Sequence, residues 1–329
     1  MNRLQLMLEE SWYQRTILSF MLLPLSALYG VVLTLRVAAY RCGLLKRANA
    51  GVPVIVIGNL TVGGTGKTPL TIALARYLRE RGYSPGIVSR GYKGKAEAQS
   101  RLVNGDEDAG LVGDEPLLIR RETGCPVVVG RKRPIACDQL IAHHGVDIII
   151  SDDGLQHLSL ERAIEIVVVD GKRLFGNRLL LPAGPLRETT KRLHSVDFVV
   201  RHGGLPYASE YTMRSQLEYA VNLHTGERRD LNSFLDREIH AVAGIAHPVE
   251  FFRKLEDLGI RMIEHKFPDH HNYRKIDIEQ LLNKTVLITA KDAIKLVNYA
   301  GKDWWSVPLI VDLNDYFLDN LLKKLDSIQ

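Results

Sequence analysis

The sequence predicts an α/β protein with a parallel, doubly wound main lobe, a smaller second α/β lobe joined to it by an antiparallel β-ribbon, and an N-terminal membrane-associating helix. Three observations carry that prediction. Short apolar runs such as Pro126 to Val129 and Val146 to Ser151 alternate with helical patterns, and strands that are apolar on both faces belong to parallel sheets covered on both sides. Between Tyr207 and Arg229 the pattern changes to polar-alternating segments around the turn His224-Thr225-Gly226, as in antiparallel pairs. Ahead of both lies an uncharged run from Thr16 to Leu35, about twenty residues and so of membrane-spanning length.

That run is flanked by Arg15 on one side and by Arg36, Arg41, Lys46 and Arg47 on the other. Pro24 interrupts it, Ser19, Ser26 and Thr34 dilute it, and an Arg-bearing amphipathic stretch continues to Leu45. These features favour a helix lying in the membrane interface over one that spans, with a buried core helix as the remaining alternative. Glu9 and Glu10 precede the run and no small-residue cleavage site follows it, which argues against a removable signal peptide.

The main lobe is expected over residues 49–206, after the membrane-associating segment 1–48. Its strands are predicted at Val52 to Ile57, Gly86 to Ser89, Pro126 to Val129, Val146 to Ser151 and Ile164 to Val169. Leu70, Ala73, Leu74, Tyr77 and Leu78 fall on one face of a helix over Thr68 to Glu80. Tyr211 to Gln216 and Tyr219 to Leu223 are expected to form the ribbon, residues 207–229. The second lobe, 230–329, is expected to hold strands at His240 to Ala243, Val286 to Thr289 and Val307 to Val311, a helix from Pro248 to Leu258, and a last helix from Leu313.

The chain has 329 residues, 46% of them hydrophobic, and a formal charge of +5. Such a mild basic excess suits an acidic partner such as a nucleotide, a phosphorylated substrate or an anionic membrane. Cys42, Cys125 and Cys137 form no C-x-x-C pair for zinc or redox work and read as reduced cytosolic thiols. No basic stripe interleaved with aromatics points to nucleic acid, and nothing calls for an obligatory protein partner.

The chemistry begins where the first strand runs into Gly58-Asn59-Leu60-Thr61-Val62-Gly63-Gly64-Thr65-Gly66-Lys67-Thr68 and a helix follows. A glycine-rich turn feeding a helix N-terminus presents backbone N–H groups to phosphate, and the helix dipole favours its charge. Residues Thr61, Val62, Gly63, Gly64, Thr65, Gly66, Lys67 and Thr68 are the predicted nucleotide-binding loop, with Lys67 at the terminal phosphates and Thr68 a ligand for Mg²⁺. Thr61 stands where the P-loop pattern usually has its first glycine. Downstream, the apolar strand Val146 to Ser151 ends on Asp152 and Asp153, the position from which P-loop proteins hold the Mg²⁺ of MgATP. Which of the two is nearer the metal is left open.

Gly113-Asp114-Glu115-Pro116 opens a helix that runs to Glu122. Asp114 is a helix N-cap on one reading. On the other it is the carboxylate that accepts a hydroxyl proton, with His270 from the second lobe as its partner. In that reading an unliganded structure can hold the two beyond hydrogen-bond reach until the lobes close.

Together, the P-loop, Ser89 to Gly94 (SRGYKG), Gly113 to Pro116 (GDEP), Ser151 to His157 (SDDGLQH), Leu181 to Glu188 (LPAGPLRE), Phe267 to His271 (FPDHH) and Thr289 to Leu296 (TAKDAIKL) resemble the tetraacyldisaccharide 4'-kinase family of the lipid A pathway. The resemblance implies transfer of the ATP γ-phosphate to the 4'-hydroxyl of a tetraacylated glucosamine disaccharide 1-phosphate, giving lipid IVA. It also implies a place on the cytoplasmic face of the bacterial inner membrane. Carried over, it implies Lys67 and Thr68 at the nucleotide, Asp152 and Asp153 at Mg²⁺, and Asp114 with His270 as the base dyad. Arg90, Tyr92, Arg133, His157, Arg187 and Glu188 look like substrate-side groups. Thr189 replaces the usual proline after Arg187-Glu188, and Ala290 replaces the usual glutamate before Lys291-Asp292. Among rival readings, a GTPase switch needs a guanine-reading motif that Thr289 to Asp292 spaces wrongly, while an ATP-dependent synthetase on the same sheet stays open.

Overall fold

The computed structural model describes residues 8, 10–14, 16–91 and 100–328. Thr16 caps helix α1 (Ile17–Met21) by accepting from the Ser19 amide, and after Leu22 the chain turns into helix α2 (Leu23–Arg41). Pro24 thus sits in the first turn of α2, where a missing N–H costs nothing.

The main lobe follows as strand β1 (Val54–Gly58), helix α3 (Lys67–Glu80), strands β2 (Pro85–Ser89) and β3 (Arg101–Val103), helix α4 (Asp114–Thr123), strand β4 (Val127–Val129), helix α5 (Arg133–His144), and strands β5 (Ile148–Ser151), β6 (Ile164–Asp170), β7 (Phe198–His202) and β8 (Tyr211–Gln216). The second lobe holds β9 (Tyr219–Asn222), β10 (Arg228–Asp230), β11 (Ile239–Ala243), α6 (Pro248–Asp257), β12 (Met262–Lys266), β13 (Thr285–Thr289), α7 (Ala290–Leu296) and β14 (Trp304–Val307). Strand β15 (Ile310–Leu313) and helix α8 (Asp315–Asp326) close the chain.

Among the described residues two sheets result: nine strands in the order β15-β8-β7-β6-β1-β5-β2-β4-β3, and six in the order β10-β9-β14-β13-β11-β12. Strand β1 lies parallel between β5 and β6, so the loop after it opens at the middle of the sheet's C-terminal edge. Alternate residues of β1 feed opposite faces. Ile55 and Ile57 pack with Leu70, Leu74 and Leu78 of α3, whereas Val54 and Val56 pack with Ala136, Cys137 and Leu140 of α5. Truncating a fully buried side chain here, such as Leu74→Ala, costs about 2–5 kcal/mol. In the second lobe the neighbours Trp304 and Trp305 point to opposite faces of β14 and each anchors one core layer.

The connection between the lobes differs from the expected ribbon. Tyr211–Gln216 and Tyr219–Asn222 do not pair with each other; β8 joins the large sheet and β9 the small one. The antiparallel pair at the crossing is β8 with β15, Ile310 opposite Gln216 and Leu313 opposite Met213. The expected strand Val307 to Val311 is split by Pro308, which has no N–H for a ladder. Beyond that proline the chain returns to the main lobe, where Phe317, Leu321 and Leu325 of α8 enter its core. Residues 310–326 therefore belong with the large sheet, unlike the expected 230–329 unit.

Helix α2 touches the body along a narrow line. Ser26 Oγ donates to the Leu180 carbonyl at 2.8 Å and accepts from the Ala183 amide at 3.0 Å, and the Tyr29 hydroxyl donates to the Arg187 carbonyl at 2.9 Å. Most of its remaining surface is apolar and open: Leu28 is 61% exposed, Val32 56% and Leu35 64%, with Thr34, Arg36 and Arg41 exposed toward its C-terminal end. By length and composition α2 suffices to cross a membrane.

Candidate active site

The loop expected to hold phosphate is built from its supports. Gly66 occupies the N-cap of α3 with φ 97°, a left-handed conformation. A Cβ there would stand 2.5 Å from His202 Nδ1, so this position is closed to other residues on both counts. The Val62 amide donates to the Pro185 carbonyl at 2.9 Å, and the Arg187 amide donates to the Leu60 carbonyl at 2.7 Å. Arg173 binds the Gly64 carbonyl, and the Thr65 carbonyl lies 3.2 Å from His202 Nδ1. Thr61, the departure from the P-loop pattern, forms an antiparallel bridge with Leu186. That extended backbone asks for no glycine.

At the end of β5 the two aspartates are unlike. Asp152 is fully buried and its Oδ1 accepts from Thr71 at 3.0 Å. Burial, with the nearby charges of Glu115 and Asp153, pushes its carboxyl up to about 7. Asp153 takes a left-handed φ of 46° and lies between two cations, Lys67 Nζ at 3.5 Å and Arg187 Nη1 at 3.1 and 3.2 Å. Burial would raise its carboxyl, but Lys67 and Arg187 outweigh it and hold it near 2. Thr68 sits in the first turn of α3, next to Lys67.

Asp114 is the first residue of α4 and not its cap, a place taken by Gly113. Its carboxylate is committed elsewhere: Oδ2 lies 3.0 Å from His270 Nδ1 and 3.5 Å from Lys295 Nζ. The two side chains expected to meet between the lobes are therefore in contact, and the longer separation allowed for an unliganded structure is not what is observed. Burial would raise the Asp114 carboxyl, but the His270 hydrogen bond and the Lys295 charge leave it below the ordinary carboxylate range.

The residues expected on the substrate side divide. Arg90 is exposed just beyond β2, and Tyr92 lies outside the described residues. Arg187 faces Asp153 and the Gln156 side chain. His157 is half-buried next to the aspartates, and burial together with the charge of Arg133 lowers its imidazole to about 4, so it is neutral at pH 7. Two others point inward. Arg133, 1% exposed, donates to the carbonyls of Gly130 and Asp152 at 3.3 and 3.0 Å. Glu188 accepts from Gln156 at 2.9 Å and pairs with Arg192 at 3.5 Å. Both brace the site's walls. Sequence reasoning assigned no role to Thr71, Gln156, Arg173, Lys291 or Lys295. Both lysines lie in the Thr289 to Leu296 motif, on a helix that follows a strand, but that motif carried no role for either.

A phosphate loop beside two strand-end aspartates, faced by an Asp–His pair drawn from two lobes, narrows the field of P-loop proteins. The family profile for tetraacyldisaccharide-1-P 4'-kinase matches residues 18–326. The chain belongs to the tetraacyldisaccharide 4'-kinase family. It is similar to the tetraacyldisaccharide 4'-kinase of Nitrosococcus oceani, 46% identical over 316 residues covering 96% of this chain and 93% of the relative. The family member of that name from Methylobacillus flagellatus is 45% identical over 323 residues, 98% of this chain and 96% of its own. Among solved structures, LpxK from Aquifex aeolicus in complex with ATP superimposes with a TM-score of 0.80 at 30% identity, covering 94% of this chain and 99% of that one. The chain is thus a kinase of this family, and its two-lobed α/β architecture is that of the Aquifex protein.

Proposed function

We propose that the protein transfers the γ-phosphate of ATP to the 4'-hydroxyl of a tetraacylated glucosamine disaccharide 1-phosphate, giving lipid IVA, at the cytoplasmic face of the inner membrane. The observation that carries this reading is the Asp114–His270 contact, at 3.0 Å, between the lobe that bears the phosphate loop and the lobe that faces it. A carboxylate held by an imidazole is suited to accept the proton of an alcohol as it attacks phosphorus. The backbone amides of Thr61 to Thr68 cradle the phosphates, and Lys67 reaches the terminal ones.

The residues present fit Mg²⁺ bound with ATP, since Thr68, Asp152 and Asp153 supply the oxygen donors this hard cation prefers. Bound there, the cation would neutralise charge on the transferring phosphates. Lys67 and Arg187 keep Asp153 ionised. Asp152 is oriented by the Thr71 hydroxyl and has a carboxyl raised chiefly by burial, which a divalent cation would relieve. Arg90, Tyr92, Arg187 and His157 are assigned to the substrate, arginine being suited to a phosphate and the neutral imidazole to a sugar hydroxyl. Arg133 and Glu188 hold that wall in place. Closure of the lobes around ATP and lipid keeps water from the γ-phosphate.

Helix α2 is assigned to the membrane interface, with its exposed apolar side toward lipid and its Ser26–Tyr29 side on the body. The flanking Arg36, Arg41, Lys46 and Arg47 suit an anionic leaflet. Purified protein, labelled ATP and either the tetraacyl disaccharide 1-phosphate or its non-acylated counterpart test the assignment. Phosphorylation of the acylated acceptor at the 4'-position is expected, and equal transfer to the non-acylated sugar would make this a soluble sugar kinase instead.

A further inference from the structure

Helix α7 carries Lys291 and Lys295 four residues apart, the spacing that puts two side chains on one helix face. Their ammonium groups stand at opposite ends of the Asp114–His270 pair. Lys295 Nζ is 3.5 Å from Asp114 Oδ2, the oxygen that also meets His270 Nδ1. Lys291 Nζ is 3.3 Å from the far imidazole nitrogen, His270 Nε2.

Both lysines are anchored. Lys295 pairs with Asp292 at 2.9 Å and donates to the His271 carbonyl at 3.2 Å. Asp292 is fully buried and accepts from the Thr289 hydroxyl and the Gly244 amide, both at 2.7 Å. Lys291 lies 3.1 Å from Asp269 and 3.8 Å from Glu115.

The geometry points to α7 as a clamp on the dyad, with Lys295 and Lys291 as positioning residues that fix the ionised state of Asp114 and the tautomer of His270. This rests on the reading of Asp114 and His270 as the base pair of the phosphoryl transfer. An ammonium only donates, so Nε2 of His270 accepts from Lys291 and the ring proton sits on Nδ1, facing Asp114. Asp269 is 3.6 Å from the same Nε2, but its own charge is answered by Lys291. At the other end, the Lys295 charge favours the ionised carboxylate in a site with little water. The groups that act on Asp114 are His270 and Tyr273 on the loop after β12 and Lys291 and Lys295 on α7, with Glu115, Asp269 and Asp292 paired to those lysines and the His271 ring turned to Asp277. Of these the lysines supply fixed positive charge, and both come from the second lobe. The clamp is therefore complete only when the lobes meet.

The test is the pH dependence of turnover on the acylated acceptor, measured with the full chain. A base works only when ionised, so activity falls as pH drops through its pKa. Lys295→Met is expected to move that acid limb upward by roughly one pH unit or more, Lys295→Arg to return it, and the KM for ATP to stay unchanged in both. Because Lys295→Met leaves Asp292 buried without its cation, the double variant Lys295→Met/Asp292→Asn removes that charge too and is expected to show the same shifted limb. A uniform loss at every pH, with the limb in place in both variants, would overturn the clamp. In ¹⁵N-labelled protein the His270 ring is expected to hold its proton on Nδ1, and a proton on Nε2 in the parent would overturn the role of Lys291. Asp114→Asn separates the layers: near-normal turnover removes the dyad and the clamp with it, whereas an inactive Asp114→Asn beside an unmoved limb in Lys295→Met sinks the clamp alone.

Discussion

Lys67 and Asp153 form an ion pair, with Nζ 3.5 Å from Oδ1, that ties the phosphate loop to the end of strand β5. Arg187 meets the same carboxylate from the other side, and its backbone amide binds Leu60 of the loop. One aspartate thus sets the spacing between the two cations that would face a nucleotide's terminal phosphates and an incoming acceptor.

Lys67→Ala is expected to lower kcat by at least about 100-fold, because positive charge at the transferring phosphoryl group stabilises the transition state more than the ground state. Asp153 keeps Arg187 as a partner in that variant, so the unfolding temperature is expected to move little. Steady-state kinetics and a thermal melt check both halves, and near-normal turnover would take the loop out of the mechanism.

Replacing Asp152 and Asp153 together with Asn is expected to cripple turnover and raise the Mg²⁺ concentration needed for half-maximal rate. Circular dichroism is expected to show an unchanged fold, since Thr71 and Arg187 can still hydrogen-bond to the amides. A folded, active double variant with the parent's Mg²⁺ dependence would return the pair to the role of ending a strand.

The phosphate loop and the paired aspartates were legible in the sequence because each is contiguous: a strand, a turn and a helix start in Gly58 to Thr68, an apolar strand and its end in Val146 to Asp153. Most of the main strands were legible for the same reason, being apolar on both faces, but the interior strand β7 (Phe198–His202) was missed. What failed depended on partners distant in sequence. Tyr211–Gln216 alternates as an antiparallel strand should, but nothing in its pattern names β15 as its neighbour, and the split at Pro308 only becomes decisive once the two sheets are separate. Strands β3 and β12 were missed because they lie at sheet edges and are short or polar. Lys291 and Lys295 stood in a family motif with no role assigned, since the groups they touch come mostly from other segments.

The exposed face of α2 predicts a selective defect. Leu28→Glu and Val32→Glu place charge where no protein atom is displaced, so stability is expected to stay within about 0.5 kcal/mol of the parent. Sedimentation with anionic vesicles is expected to fall clearly, as is turnover on vesicle-borne acceptor, while turnover on a short-chain, dispersed acceptor persists. Undiminished vesicle binding would show that α2 does not meet the membrane through this face.

The dyad makes the sharpest kinetic prediction. Asp114 sits at the start of α4 in one lobe and His270 on a loop of the other, yet they are within hydrogen-bond distance; in the proposed mechanism each works on the acceptor hydroxyl through the pair. Removing one member leaves its partner without the proton relay, and removing the second then has little left to take. Asp114→Ala, His270→Ala and the double variant are therefore expected to lose similar activity, with the double loss far below the product of the single ones. Each variant should keep its affinity for ATP, measured by nucleotide titration, because the loop is braced by Pro185, Leu186, Arg173 and His202. If the losses multiply instead, the two residues act independently, and His270 belongs with substrate binding or with the packing of its own lobe.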